Sequence, residues 1–156
     1  MKPIVIYHKD CLDGIAAAWC FFNKFGDSYE YLAGVYNEPP PNVTGRTVYL
    51  VDFSYPVDKL CGMLLEAESI VLLDHHKSAI DEINNFKKIA NVELKKLDMS
   101  HCTTDKSGCI IAWDFLNKTR KHCPPLLAHI EDRDLWKFNL KFTKQISLAL
   151  FTKTLD

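Results

Sequence analysis

The apolar run Ile70-Val71-Leu72-Leu73 ends in Asp74-His75-His76, and that junction constrains the fold more than any other stretch of the chain. A continuous Ile/Val/Leu run reads as a strand buried on both faces, which places it in a parallel sheet. Ending such a strand in an acid and two imidazoles is costly in desolvation unless something pairs with them. Two further runs finish the same way. Pro3-Ile4-Val5-Ile6-Tyr7 leads into His8, followed by Asp10 and Asp13-Gly14, and Thr47-Val48-Tyr49-Leu50-Val51 leads into Asp52. In one parallel sheet these side chains share the carboxyl edge, where open α/β folds bind ligands. A fourth acidic group, Glu131-Asp132-Arg133-Asp134, follows the helical stretch Leu126 to Ile130.

Between these strands lie helical segments, so the expected class is α/β: a three-layer, mostly parallel, Rossmann-like sheet with helices on both faces. Asp13-Gly14 opens a helix from Ile15 to Phe25, closed by Gly26, with Ala16, Ala17 and Ala18 small enough for close packing. Tyr29 to Tyr36 reads as a strand, and Pro39-Pro40-Pro41 stiffens the loop after it. Pro56 starts a helix to about Ala67. Lys77 to Asn85 is expected as helix, Phe86 to Asp98 as one or two short strands, and Ser107 to Asn117 as a helix capped by hydroxyls of Ser100 to Asp105. Pro124-Pro125 opens a helix ending near Glu131, and a last amphipathic segment covers Thr143 to Thr152.

The 156 residues suffice for a single domain, 1–156, burying roughly two-thirds of its unfolded surface. The net charge of −1 gives no global pull toward nucleic acid or an anionic membrane. The halves differ: residues 1–76 hold five Lys/Arg against ten Asp/Glu, and residues 77–156 hold fourteen against ten. An acidic half beside a basic one suits an anionic substrate bound through cations. The cysteines at 11, 20, 61, 102, 109 and 123 form no C-x-x-C pair, so free thiols in a reducing, cytoplasmic compartment are expected, with Cys20, Cys61 and Cys109 in the core. Met1-Lys2-Pro3 runs straight into a strand, without a signal peptide, and the apolar stretch Ile15 to Phe22 is too short for a membrane span. Walker-type phosphate loops and dinucleotide fingerprints are absent.

If His8, Asp10, Asp13, Asp52, Asp74, His75 and Asp132 converge, they hold protons or cations. Two carboxylates about 4 Å apart repel by roughly 4 kcal/mol at an effective dielectric near 20. With imidazoles interleaved, two divalent ions are the natural solution, Mn²⁺ foremost, with Mg²⁺, Zn²⁺ or Fe²⁺ also compatible. Such a pair can clamp a phosphoryl group and bring the pKa of water from 15.7 down to about 7. Metal-assisted hydrolysis of a phosphodiester or phosphoanhydride is the expected chemistry. Reading Asp132-Arg133-Asp134 instead as a glycosyltransferase metal motif leaves His8, Asp52 and Asp74-His75-His76 unexplained.

The ordered set His8-x-x-Cys11-x-Asp13-Gly14, Val51-Asp52, Asp74-His75-His76 and Asp132 resembles the DHH phosphoesterase superfamily across nearly the whole chain. The fragments Tyr7-His8, Asp13-Gly14, Ala17-Ala18-Trp19 and Asp132-Arg133-Asp134-Leu135-Trp136 look most like its oligoribonuclease or exopolyphosphatase-like branch. The resemblance implies that His8 and the first-motif acid hold one metal, and that Asp13, His75 and Asp132 hold the other. It implies that Asp52 bridges them, that Asp74 ligates or orients His75, and that His76 faces the substrate phosphate as a proton carrier. Short oligonucleotides or dinucleotides come first among the implied substrates, then polyphosphate or pyrophosphate.

Two departures from that pattern stand out. Where the family has an aspartate two residues before Asp13, this chain has Cys11, so either Asp10 or a Cys11 thiolate serves as the first-motif ligand. No Gly-Gly-Gly-His motif of a C-terminal substrate domain is present; either the substrate is small, or that wall was removed, or a partner chain or second copy completes the cleft. A same-fold, catalytically weakened nucleotide-binding or regulatory module is therefore the rival reading. Among cations beside the motifs, Arg133 is the preferred phosphate holder. Tyr7, Trp19, Trp113 and Trp136 offer rings for bases, although Trp19 and Trp113 sit at core-like helical positions.

Overall fold

The computed structural model describes residues 1–152 of the chain. Five parallel strands make one sheet: β1 (Ile4–His8), β2 (Glu30–Gly34), β3 (Thr47–Val51), β4 (Ser69–Leu73) and β5 (Leu97–Asp98). Their spatial order is β2-β1-β3-β4-β5, every neighbouring pair parallel. Six helices flank it: α1 (Leu12–Phe25), α2 (Val57–Glu66), α3 (Lys77–Ala90), α4 (Gly108–Asn117), α5 (Pro125–Asp134) and α6 (Thr143–Phe151). This is the three-layer α/β arrangement expected from the apolar runs.

Alternation along each strand sends side chains to two cores. Ile4, Ile6, Val48, Leu50, Ile70 and Leu72 face Leu60, Met63 and Leu64 of α2 and Ile83 of α3. Val5, Val51 and Leu73 join a second cluster with α1, α4 and α5, in which Phe21 is fully buried. The ring of Phe21 lies 4.9 Å from Tyr49 and 6.2 Å from Phe115. From β1 the chain crosses to β2 on one side, and the next strand, β3, lies on β1's other side. The order therefore reverses between β1 and β3, and the crevice beyond their carboxyl ends is the place where such sheets bind ligands.

Several local expectations shift. α3 continues through Phe86 to Ala90 and stops at Asn91, which takes a left-handed conformation, so Leu97–Asp98 is the strand left from the stretch read as one or two strands. α5 runs to Asp134, three residues past its expected end. Trp19 is 41% exposed rather than core, whereas Trp113 is buried and donates its indole N–H to the Thr119 carbonyl. Cys20 and Cys109 are buried as expected; Cys61 is only half-buried, and all six thiols are free. No helix among the described residues is long and apolar enough to cross a membrane.

Replacing Phe21 by Ala removes the aromatic centre of the cluster beneath α1 and α4 and should destabilise the protein by about 3–5 kcal/mol. Urea unfolding of the variant beside wild type measures this, with an unchanged m-value indicating that the native fold persists.

Candidate metal centre

Each strand that reverses or follows the chain order hands one group to the same edge. β1 ends in His8, β3 runs into Asp52, and β4 runs into Asp74-His75-His76. The start of α1 adds Cys11 and Asp13. That start lies tight against β1: a Cβ at Gly14 would come within 2.6 Å of the His8 carbonyl oxygen. Asp52 holds a left-handed backbone (φ 52°) while its N–H still bonds the Leu73 carbonyl at 3.0 Å. For a non-glycine residue that conformation costs roughly 1–2 kcal/mol, strain of the kind stored at functional sites.

The side chains meet closely. His75 Nε2 lies 3.1 Å from Asp52 Oδ1, 3.3 Å from Asp134 Oδ2 and 3.7 Å from Asp13 Oδ2. His8 Nδ1 is 3.9 Å from Asp52 Oδ2, to which the Cys11 thiol donates at 3.3 Å. His76 Nδ1 bonds Asp74 Oδ1 at 2.7 Å and stands 4.0 Å from Asp52 Oδ1. Three overlapping triads are each compact enough to hold an ion, with ligand atoms within 4.8 Å of one another: His8, Cys11 and Asp52; Asp52, His75 and His76; Asp13, His75 and Asp134. Asp52 belongs to the first triad and reaches His75 of the third, the position a bridging ligand needs.

Two atoms test the fit of cations directly. His8 Nδ1 and Asp74 Oδ2 are buried and have no hydrogen-bond partner among the described residues. Orphaned polar atoms of this kind call for an ion or an equivalent guest. Burial, together with His76, lowers the His8 pKa and leaves its imidazole neutral, as a metal ligand must be. Burial pushes Asp52 up to about 7, with Asp13 adding and the His75 hydrogen bond opposing. The Asp74 hydrogen bond lifts His76 to about 9. Burial and Asp52 push the Cys11 thiol up to about 12, so ligation there requires a metal to displace its proton. Without cations the cluster holds protons.

Asp13 also completes the fold. Both its oxygens accept backbone N–H groups from the first turn of α4, Gly108 at 2.5 Å and Cys109 at 3.0 Å. It therefore supplies the cap that was expected from the Ser100 to Asp105 hydroxyls. A Cβ on Gly108 would sit 2.6 Å from the Asp52 Cβ and 3.0 Å from Asp13 Oδ2, so only glycine lets α4 end on the two acids.

Of the predicted residues, the structure gathers His8, Cys11, Asp13, Asp52, His75 and His76 into the triads, with Asp74 beside them, bonded to His76. Asp10 is exposed on a left-handed turn and stands outside all three triads, whereas Cys11 belongs to one of them. Asp132 is a correction. Its carboxylate accepts the Asn139 N–H (2.8 Å), the Leu140 N–H (3.0 Å) and the Thr143 hydroxyl (2.6 Å), fastening the loop before α6. Asp134, instead, lies in the triad with Asp13 and His75. Residues two apart on a helix face different ways. At about 100° per residue, Asp134 falls within roughly 20–40° of the core residues Leu127 and Ile130, while Asp132 turns away from both. Arg133 is seated with its guanidinium over the Phe151 ring, 4.4 Å from the centroid, and is not brought into the cluster. Tyr36 and Phe53, unforeseen from the sequence, pack their rings 5.2 and 6.0 Å from His8.

A protein of Acanthamoeba polyphaga mimivirus, itself described as uncharacterized, is similar to this chain, 28% identical over 169 residues. The match takes in 98% of the chain and 38% of the viral protein, so the chain spans well under half of that relative's length. No family model and no solved structure matches the chain.

The two acids of α5 should separate cleanly. Asp134→Asn is expected to lower metal uptake, measured by elemental analysis after loading, with a small change in melting temperature. Asp132→Asn should lower the melting temperature and leave metal uptake near wild type. Burial opposes ionisation of Asp132, but the Thr143 hydroxyl and the two amides outweigh it and hold its pKa below the usual range. That stabilisation is present above the unfolded pKa near 4 and fades as pH falls through the folded value, so the gap between Asp132→Asn and wild type should narrow on acidification.

Proposed function

We propose that the cluster is a two-metal centre hydrolysing phosphodiester or phosphoanhydride bonds, and that the chain is a catalytic domain of the DHH phosphoesterase type. One observation carries this reading: His8, Cys11, Asp13, Asp52, His75, His76 and Asp134, drawn from four separate segments, form interlocking ion-sized triads at the sheet's switch point. Manganese suits the mixed carboxylate and imidazole set best, with magnesium as the harder alternative. Divalent ions there would supply Lewis acidity at a phosphoryl oxygen and lower the pKa of water toward neutrality.

The protein's own groups would do the rest. Asp52 would keep two cations close, and the strained backbone holds it ready. Asp74 would orient the pair of histidines, since its Oδ1 accepts the His75 N–H, the His76 N–H and His76 Nδ1 together. His76, protonated at neutral pH and partly exposed, is suited to hand a proton to the leaving-group oxygen. The substrate class that fits is small and anionic.

The Cys11 thiol favours a second reading, a weakened nucleotide-binding or regulatory module of the same fold. It donates its proton to Asp52 Oδ2 and so competes for the bridging carboxylate. The two readings part on turnover: purified chain with Mn²⁺ should cleave a phosphodiester or pyrophosphate, and Asp52→Asn should lose activity by about a thousandfold or more. Unchanged turnover in Asp52→Asn would defeat the bridging role; binding without turnover in wild type would favour the module.

Metal should also stabilise the protein in a pH-dependent way. The folded pKa values of Asp52 and His76, about 7 and about 9, are raised above their unfolded values. Each group's contribution is complete below its unfolded pKa and is lost as pH rises through the folded one. The metal-free protein therefore weakens toward alkaline pH just as the ligands become free to bind. The rise in melting temperature on saturation with Mn²⁺ should be larger near pH 8 than near pH 6, as differential scanning fluorimetry would show.

A further inference from the structure

We infer that the loop joining α5 to α6 is a base-stacking subsite for a single-stranded oligonucleotide whose phosphate lies at the metal centre; the inference rests on the phosphoesterase reading and names its substrate class. The loop begins next to Asp134, the last residue of α5, whose carboxylate is 3.3 Å from His75 Nε2. Two residues on, at most about 7 Å of chain, stands Trp136 with three-quarters of its surface exposed. Phe142, at the loop's far end, is 55% exposed.

Exposed aromatic rings on a loop usually collapse inward to shed water. Here the backbone is fastened with the Trp136 and Phe142 rings on the outside. Trp136, Phe138 and Phe142 all hold left-handed backbones, with φ of 57°, 49° and 75°. The loop is locked from beneath by Asp132: its carboxylate takes the Asn139 and Leu140 N–H groups and the Thr143 hydroxyl, and its carbonyl takes the Lys137 and Phe138 N–H groups. The Phe138 ring packs edge-on against Trp136 at 5.1 Å and leaves the rest of the indole presented to solvent.

The charge of the segment fits the same occupant. Residues 135–144 contain Lys137, Lys141 and Lys144 and no acid, beside a cluster built from acids. Lys141 and Lys144 lie over the Phe142 and Phe138 rings, 4.8 and 5.1 Å from their centroids. Alternating rings and ammonium groups is how proteins hold single strands, the rings taking bases and the cations taking phosphates. Inorganic polyphosphate would use the lysines and have no use for a held indole.

The test is binding of a fluorescein-labelled short oligothymidylate with hydrolysis-resistant phosphorothioate linkages to the Mn²⁺-loaded full chain, by anisotropy, with cleavage of the ordinary phosphodiester followed separately. Trp136→Ala should weaken binding about tenfold and Trp136→Phe should restore most of it. A triple Lys137→Gln, Lys141→Gln, Lys144→Gln variant should flatten the salt dependence by a slope of about 2. Binding of unlabelled polyphosphate, by competition, should fall in the lysine variant and not in Trp136→Ala. Absent binding by wild type, or equal affinity of wild type and Trp136→Ala for the oligonucleotide, would overturn the subsite. Trp136-dependent binding with no cleavage in Mn²⁺ would leave the subsite standing and sink the phosphoesterase reading instead.

Discussion

Three carboxylates buried almost completely at one sheet edge are the constraint around which this molecule is arranged. Asp13, Asp52 and Asp74 expose 1%, 1% and 0% of their surface. Left alone, such a group would repel its neighbours by several kcal/mol and lose its hydration. The fold answers with directed partners: the α4 amides on Asp13, the His75 imidazole on Asp52, and the two backbone amides and Nδ1 of His76 on Asp74. Asp74 Oδ2 and His8 Nδ1 still go unanswered, which is why the edge reads as a receptacle and not as a finished polar core.

The same constraint explains features that otherwise look incidental. Gly14 lets α1 press onto the end of β1 and bring Asp13 toward His75, and Gly108 lets α4 end directly on Asp13 and Asp52. Asp13 thus links two jobs: it caps a core helix and forms part of a triad with His75 and Asp134. Its charge is favoured by the positive end of that helix, so structural and chemical demands on it agree. At Cys11 they diverge. A thiol held protonated by burial and by Asp52 is easy to accommodate without a metal and must be deprotonated to serve one.

How far the sequence discloses this depends on the kind of information involved. The parallel sheet was plain because Ile4 to Ile6, Val48 to Val51 and Ile70 to Leu73 are apolar on both faces, and periodicity records burial directly. The edge location of His8, Asp52 and His75 followed from strand direction alone. What failed were matters of extent and facing. Ending α5 near Glu131 hid the fact that Asp134 continues the line of Leu127 and Ile130, and the resemblance pointed to Asp132, whose carboxylate fastens the loop before α6 while that of Asp134 meets His75. Trp19 occupies an apolar-looking helical position, yet Ala16, Ala17 and Ala18 take the packing and leave the indole half in water. The cap on α4 comes from a residue 95 positions away, and no local pattern of hydroxyls can report a partner so distant.

Asp132 then acquires a meaning that its motif position concealed. By accepting from Asn139, Leu140 and Thr143 it fixes a loop whose residues would otherwise avoid their left-handed conformations, and it does so within two residues of Asp134. One short helix end therefore holds an acid for the His75 cluster and an acid for the loop, on opposite sides. A change in the pitch or end point of α5 would disturb both at once. That coupling ties the geometry of the acid and imidazole cluster to the posture of the aromatic loop through one helix end.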